Sequence, residues 1–365
     1  GYTTSNGAGK QDAYLIKTDG LGKVLWNKTY GTTGDDVAWK VKQTSDSGYI
    51  VVGTTSSNKG DGLMFKTNPN GNIVWSKYFN SDSAQDVYNV LESRFNNDIY
   101  VTGYIKTDSA GKDAFLAKYS SSGTFIWQRN FGGLKNEEGY SLVEDFTGAV
   151  AVVGVVVDDA ITIGGNAGVP GDEDFFIARF NSKGDSLCFK NYGSTGNDQI
   201  WDIKYSKGQY IATGWTNGGP GSTDVLLSII DTLGNIKNTY TYNLGGSSRA
   251  FSLIVNPDES YSITGYAING TNGRDAFYLN TNNTGVINAL NFFGGASTDG
   301  HWPSEITRTL DGGFTMFSSS NSFKTTNGND LYLIRMDPKG VSQCNQKTGS
   351  GSNFCLLYTS PSPRD

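Results

Sequence analysis

The sequence predicts an all-β chain, a β-propeller built of four-stranded antiparallel blades, and three observations predict it. A unit of roughly fifty residues recurs about seven times, a period that marks propellers, solenoids or arrays. Its clearest anchor is an acid followed by a short apolar run, as in Asp12-Ala13-Tyr14-Leu15-Ile16-Lys17 and Asp113-Ala114-Phe115-Leu116-Ala117-Lys118. The anchor returns at Asp61, Asp174, Asp224, Asp275 and Asp330, so the successive spacings are 49, 52, 61, 50, 51 and 55 residues. Each unit also holds four short β-rich runs separated by turn residues. Finally, 48 glycines against 8 prolines, with 13% aromatic residues, suit tight turns between alternating strands.

Residues 36–79 show one unit in full. Val37-Ala38-Trp39-Lys40-Val41-Lys42 alternates imperfectly and ends in Thr44-Ser45-Asp46-Ser47-Gly48, a turn composition. Tyr49-Ile50-Val51-Val52-Gly53-Thr54 is the second run and Leu63-Met64-Phe65-Lys66 the third. Asn68-Pro69-Asn70-Gly71 then turns the chain into Ile73-Val74-Trp75-Ser76-Lys77-Tyr78-Phe79, whose alternation separates Ile73, Trp75 and Lys77 from Val74, Ser76 and Tyr78. No helix-length apolar periodicity interrupts the series, which argues against parallel βαβ units. Each small sheet has two apolar faces that water penalises, and radial stacking buries both. The pattern predicts seven blades, one of them incomplete: the N-terminal unit has only its later half, and the fourth strand of the last unit fades near Cys344. Residues 1–344 are expected to form one propeller domain and 345–365 an irregular tail.

Bulk properties exclude several classes of function. A formal net charge of -6 with no Lys/Arg run makes nucleic acid and anionic membrane poor partners. No apolar segment approaches the length of a transmembrane helix. The three cysteines form no disulfide framework; Cys188 and Cys344 stand where other units carry Trp26, Trp75 and Trp127, so they read as small packing residues. The sequons at Asn27, Asn269 and Asn282 are compatible with secretion. The chain opens inside a strand-like run, and Cys355 to Asp365 resembles a translated sequencing-adapter tail. The expectation is therefore a fragment.

The units resemble a bacterial β-propeller repeat family often described as seven-bladed. The matching pieces are Gly31-Thr32-Thr33-Gly34-Asp35-Asp36, Gly48-Tyr49-Ile50-Val51-Val52-Gly53 and Lys112-Asp113-Ala114-Phe115-Leu116-Ala117-Lys118, and the resemblance covers about residues 1–344. It implies an extracellular or surface-associated module with no reaction and no cofactor. The acid pair varies among units: Asn136-Glu137-Glu138 in the fourth, Asn197-Asp198 in the fifth and Ser247-Ser248-Arg249 in the sixth.

Residues that recur in every unit are poor catalytic candidates, since an active site is needed once. The repeated acids read as acceptors for turn N–H groups. Asp35 and Asp36, adjacent acids at a loop mouth, are the metal candidates, although no twelve-residue calcium-loop spacing is present. His301, the one histidine, reads as the start of a strand. Asp158 and Asp159 lie in the one long insertion, Val155–Glu173, which with Trp215 forms the candidate ligand or partner loop. Trp26, Trp75, Trp127, Trp201 and Trp302 read as packing residues. No catalytic residue and no cofactor is assigned. The leading reading is a non-catalytic scaffold for protein or glycan recognition, extracellular or attached to the cell envelope. The alternatives are a carbohydrate-active hydrolase or lyase with carboxylates near a central channel, and a structural spacer.

Overall fold

The computed structural model of the chain describes residues 1–20, 22–57, 61–79, 84–107, 111–133, 135–157, 173–218, 223–268, 273–295, 297–300, 304–322, 330–342 and 346–347. Among these residues there is no helix, and hence none long and apolar enough to cross a membrane. The fold is an all-β propeller of seven antiparallel sheets, each built from strands adjacent in sequence.

The first sheet holds β1 (Tyr2–Thr3), β2 (Asp12–Thr18) and β3 (Val24–Tyr30). The second runs from β4 (Asp36–Gln43) through β5 (Tyr49–Thr55) and β6 (Asp61–Thr67) to β7 (Ile73–Tyr78). The third holds β8 (Gln85–Glu92), β9 (Ile99–Thr107), β10 (Gly111–Tyr119) and β11 (Phe125–Phe131), and the fourth β12 (Glu137–Glu144), β13 (Val150–Val157), β14 (Glu173–Phe180) and β15 (Ser186–Tyr192). In the fifth come β16 (Asp198–Ser206), β17 (Gln209–Thr216), β18 (Asp224–Asp231) and β19 (Ile236–Tyr242). The sixth holds β20 (Ser248–Val255), β21 (Tyr261–Ile268), β22 (Arg274–Thr281) and β23 (Ile287–Phe293). The seventh has β24 (Glu305–Arg308), β25 (Phe314–Ser320) and β26 (Asp330–Met336). A two-residue strand, β27 (Gln346–Lys347), pairs with β23 as a fifth strand of the sixth sheet, although it lies in the segment expected to be irregular. The described residues fall into two compact units that divide between Asn191 and Tyr192, with Glu173 and Asp174 going with the second.

Within each unit, strand alternation decides which neighbour a side chain meets. In β5, Val51 packs with Ala13, Leu15 and Tyr30 of the first sheet, together with Leu63 and Phe65 of β6. Ile50 and Val52 point the other way, with Met64, onto Val87, Val90, Val101 and Phe115 of the third sheet. The same division recurs between the third and fourth sheets, between the fifth and sixth, and between the sixth and seventh. Each methylene removed from water contributes about 0.8 kcal/mol, so these two-sided sheets are the main source of stability.

Polar clamps fix the sheets in register. The turn after the third strand needs a left-handed residue; Gly71 has φ +74° there, and an added Cβ would meet Tyr30 Oη and the Trp26 ring at 3.0 and 3.1 Å. That close approach lets Tyr30, at the end of β3, donate its hydroxyl to the Gly71 carbonyl at 2.7 Å. Tyr192 and Tyr242 make the same bond to Gly234 and Gly285, at 2.8 and 2.9 Å. Trp26, Trp75 and Trp127 each lie against the turn glycine of the following sheet, as expected of packing residues. Cys188 is half-buried and forms no disulfide among the described residues. Burial pushes the Tyr30 phenol up to about 12 from its ordinary 10. Its contribution is therefore complete below pH 10 and is lost as pH rises through about 12. Tyr30→Phe should cost about 1 kcal/mol in equilibrium unfolding at neutral pH, and the gap from wild type should narrow in alkali.

Candidate functional site

A repeated backbone distortion builds the site. In sheets two to six the first strand slips by one residue against the second, between Ala38 and Lys40, Val87 and Asn89, Gly139 and Ser141, Ile200 and Asp202, and Ala250 and Ser252. The residue left over at each bulge is aromatic: Trp39, Tyr88, Tyr140, Trp201 and Phe251. Opposite each bulge the second strand carries glycine, at Gly53, Gly103, Gly154, Gly214 and Gly265. A Cβ there would lie 1.8 to 1.9 Å from a first-strand carbonyl oxygen. Glycine is thus the residue that lets the first strand bulge, a common device for re-aiming side chains.

In the first unit the re-aimed aromatics meet. Tyr88 has its ring centroid 6.4 Å from Trp39, 5.8 Å from Tyr104 and 5.8 Å from Tyr140. Carboxylates and one lysine interleave with them. The Tyr88 hydroxyl donates to Glu138 at 3.2 Å, and Lys112 Nζ donates to the other oxygen of Glu138 at 2.6 Å. That ammonium also sits 4.0 Å from the centroid of the Tyr104 ring. Trp39 Nε1 donates to Thr54 Oγ1 at 2.6 Å. Desolvation raises the Asp86 carboxyl above the usual carboxylate range, against the opposing pull of hydrogen bonds with Tyr104 and Thr54 and of the Lys112 charge. Burial, with Glu138 and Asp86 nearby, pushes the Tyr88 phenol far up; burial and Asp86 do the same for Tyr104. Phenols held neutral in this way are hydrogen-bond donors, not bases.

In the second unit the same register carries different chemistry. The second residue of successive first strands is Val37, Asp86, Glu138, Gln199 and Arg249. Gln199 donates to Glu173 and accepts from Trp201 Nε1. Trp201 meets Phe251 edge to face at 5.4 Å, and Phe251 lies 5.7 Å from Tyr266.

The sites expected from sequence land elsewhere. Asp35 accepts the Gln11 N–H at 3.1 Å, and buried Asp36 accepts the Thr32 N–H at 2.7 Å and its hydroxyl at 2.9 Å. Both acids hold loops, and among the described residues no three His, Cys, Asp or Glu side chains gather as a metal site would need. Glu137, Asp198 and Asp299 repeat the bond of Asp36, each accepting an N–H four residues back at 2.6 to 2.8 Å. Asp12 takes the Ala8 and Gly9 amides. Trp215, expected to stack on a ligand from a loop, is 3% exposed, and its ring lies under the Arg249 guanidinium at 4.0 Å. Asp158, Asp159, His301 and Trp302 lie outside the described residues. Sequence reasoning missed Asp86, Tyr88, Glu138 and Lys112. Their signal is a single register position that changes from Val to Asp, Glu, Gln and Arg while the aromatic two residues later persists.

No family model matches the chain. A stretch of 186 residues, 46% of the chain, is 25% identical to the Regulatory protein FlaEY of Caulobacter vibrioides. That stretch is 19% of the Caulobacter protein, so the chain spans a small part of its relative. Among solved structures, an ulvan lyase from a new family of polysaccharide lyase is similar with a TM-score of 0.51 at 12% identity, over 93% of this chain and 86% of that one. The Trypanosoma rangeli sialidase in complex with sialic acid has a TM-score of 0.49 at 11% identity, over 93% and 58% of the two chains. At these identities the likeness concerns the fold alone, which is a β-propeller.

Because ionising a desolvated carboxyl costs stability, the penalty at Asp86 is absent in acid and grows as pH rises through its raised pKa. Asp86→Asn should therefore raise the Tm at about pH 7 by more than at about pH 4, as scanning calorimetry at the two values would record.

Proposed function

We propose that the chain is a non-catalytic recognition scaffold of the bacterial β-propeller repeat kind, displaying its loops and first-strand aromatics to a protein or glycan outside the cell or at the envelope. The observation that carries this reading is the commitment of the acids. Asp36, Glu137, Asp198 and Asp299 are spent on the amides of their own loops. In the aromatic cluster Glu138 is held by a phenol and an ammonium together. A hydrolase needs one carboxylic acid and one carboxylate open to the same glycosidic bond, and committed acids serve shape better than proton transfer. The name of the Caulobacter relative, a regulatory protein, accords with binding.

The enzyme reading retains one support, the raised carboxyl of Asp86 near Glu138. A panel of neutral and acidic polysaccharides, followed for binding by interferometry and for cleavage by reducing-end release and by absorbance of unsaturated product, separates the two. Saturable binding without product is the expected outcome. Product formation abolished in Asp86→Asn would replace this reading with the enzyme, and a lack of saturable binding to every glycan and candidate protein would leave a spacer.

A further inference from the structure

The third and sixth sheets place equivalent residues around equivalent tyrosines. Lys112 and Arg274 each stand just before the third-strand acid, Asp113 and Asp275. Each lies over the second-strand tyrosine of its own sheet, Lys112 over Tyr104 at 4.0 Å and Arg274 over Tyr266 at 4.4 Å. From there the chemistry diverges. Lys112 is neutralised by Glu138, the second residue of the next sheet's opening segment. At the corresponding place after Asp299 the sixth sheet's neighbour supplies Gly300, which has no side chain. At the position of Asp86 the sixth sheet carries Arg249. The two acids and one base at these positions around Tyr104 thus become two bases and no acid at the equivalent positions around Tyr266.

Both arginines stand beside Tyr266 in the sheet register. Arg249 is its direct partner across the β20–β21 ladder, and the Arg274 guanidinium covers its ring. The Arg249 guanidinium lies 4.0 Å from the Trp215 ring centroid, and its Nε is buried without a hydrogen-bond acceptor. Neither guanidinium forms an ion pair or a side-chain hydrogen bond among the described residues, in a chain whose net charge is -6. A cation–π contact returns less than a buried donor without an acceptor costs. Aromatic rings position these guanidiniums, and among the described residues Arg249 Nε finds no acceptor, although guanidinium N–H groups match planar oxyanions in pairs. Half-buried Trp201 and Phe251 extend the aromatic floor beside Tyr266.

We propose that the sixth sheet carries an oxyanion-binding site, Arg249 and Arg274 around Tyr266, that takes the carboxylate or sulfate of an acidic sugar. A sugar ring presents an apolar face to an aromatic floor while its charged substituent reaches the arginines. An acidic peptide, whose carboxylates ride on flexible arms, makes no comparable use of the rings. The inference rests on the recognition reading and names the ligand class for it.

Calorimetric titration with oligogalacturonate, a heparin-derived oligosaccharide, a neutral xylo-oligosaccharide and polyglutamate tests it, with folding of every variant checked by circular dichroism and Tm. The uronate and the sulfate arms distinguish the two sources of oxyanion. At least one acidic saccharide should bind, more weakly as salt is raised from about 0.05 to 0.3 M. Arg274→Gln should weaken it at least about tenfold, as should Arg249→Gln if that variant folds; Arg94→Gln, in the turn between β8 and β9, should not. Acidic saccharides binding no better than the neutral one, undiminished binding by Arg274→Gln, or binding of polyglutamate alone would overturn the site. If a neutral glycan or a protein still binds, the recognition reading survives that failure; if nothing in the panel or the earlier screen binds, both fall.

Discussion

In sheets two to six a carbonyl oxygen of the first strand occupies the space that a second-strand Cβ would fill. From that one close approach, repeated at Gly53, Gly103, Gly154, Gly214 and Gly265, the remaining features follow. The first strand bulges by one residue, its twist increases locally, and an aromatic side chain is left outside the ladder. Because the bulge recurs at the same register, the aromatics of neighbouring sheets within a unit come within ring contact, and the residue two places earlier sets the charge beside them. A side chain opposite the bulge would force the strands apart and undo the apolar packing that both faces of each sheet depend on.

The repeated acids belong to a different layer of the design. Sheets reach one another through loops whose amides need acceptors, and at Asp36, Glu137, Asp198 and Asp299 a carboxylate accepts an N–H four residues back. This is why acids recur with the period of the fold and why their recurrence says little about chemistry. The pattern yields at two places, to Gln85 and Ser248, and Ser248 donates to the Gly246 carbonyl instead of accepting an amide. Charge, by contrast, varies between equivalent positions. Asp86 and Glu138 stand near a lysine in one unit, and Arg249 and Arg274 lie over aromatic rings in the other.

Much of the fold was legible in the sequence because it follows from periodicity. The fifty-residue period, the four runs per unit and the Asn-Pro-Asn-Gly turn at Asn68–Gly71 each specify local geometry without reference to distant residues. The packing role of Trp26, Trp75 and Trp127 followed from their fixed place after a turn. The bulge was not legible, since an alternating run with one aromatic out of phase reads as imperfect alternation; the glycine opposite it was visible, but its reason was not. Trp215 misled for a related cause. It precedes a glycine-rich loop, yet strand pairing with Gln199 places it under Arg249. The carboxylate and arginine clusters were invisible to motif reading because their members come from different strands and share a register, not a spacing. The pairing of Gln346 and Lys347 with β23 likewise depends on a free outer edge that only the assembled sheet presents.

The placement of every aromatic and charge described above rests on the bulge, and the bulge rests on glycine. Equilibrium unfolding of Gly103→Ala measures that dependence most directly, since the added Cβ would sit 1.8 Å from the Asp86 carbonyl oxygen. A loss of more than about 3 kcal/mol, or failure to fold, is the result the account predicts. An alanine tolerated to within about 0.5 kcal/mol, the range of an ordinary surface substitution, would contradict it.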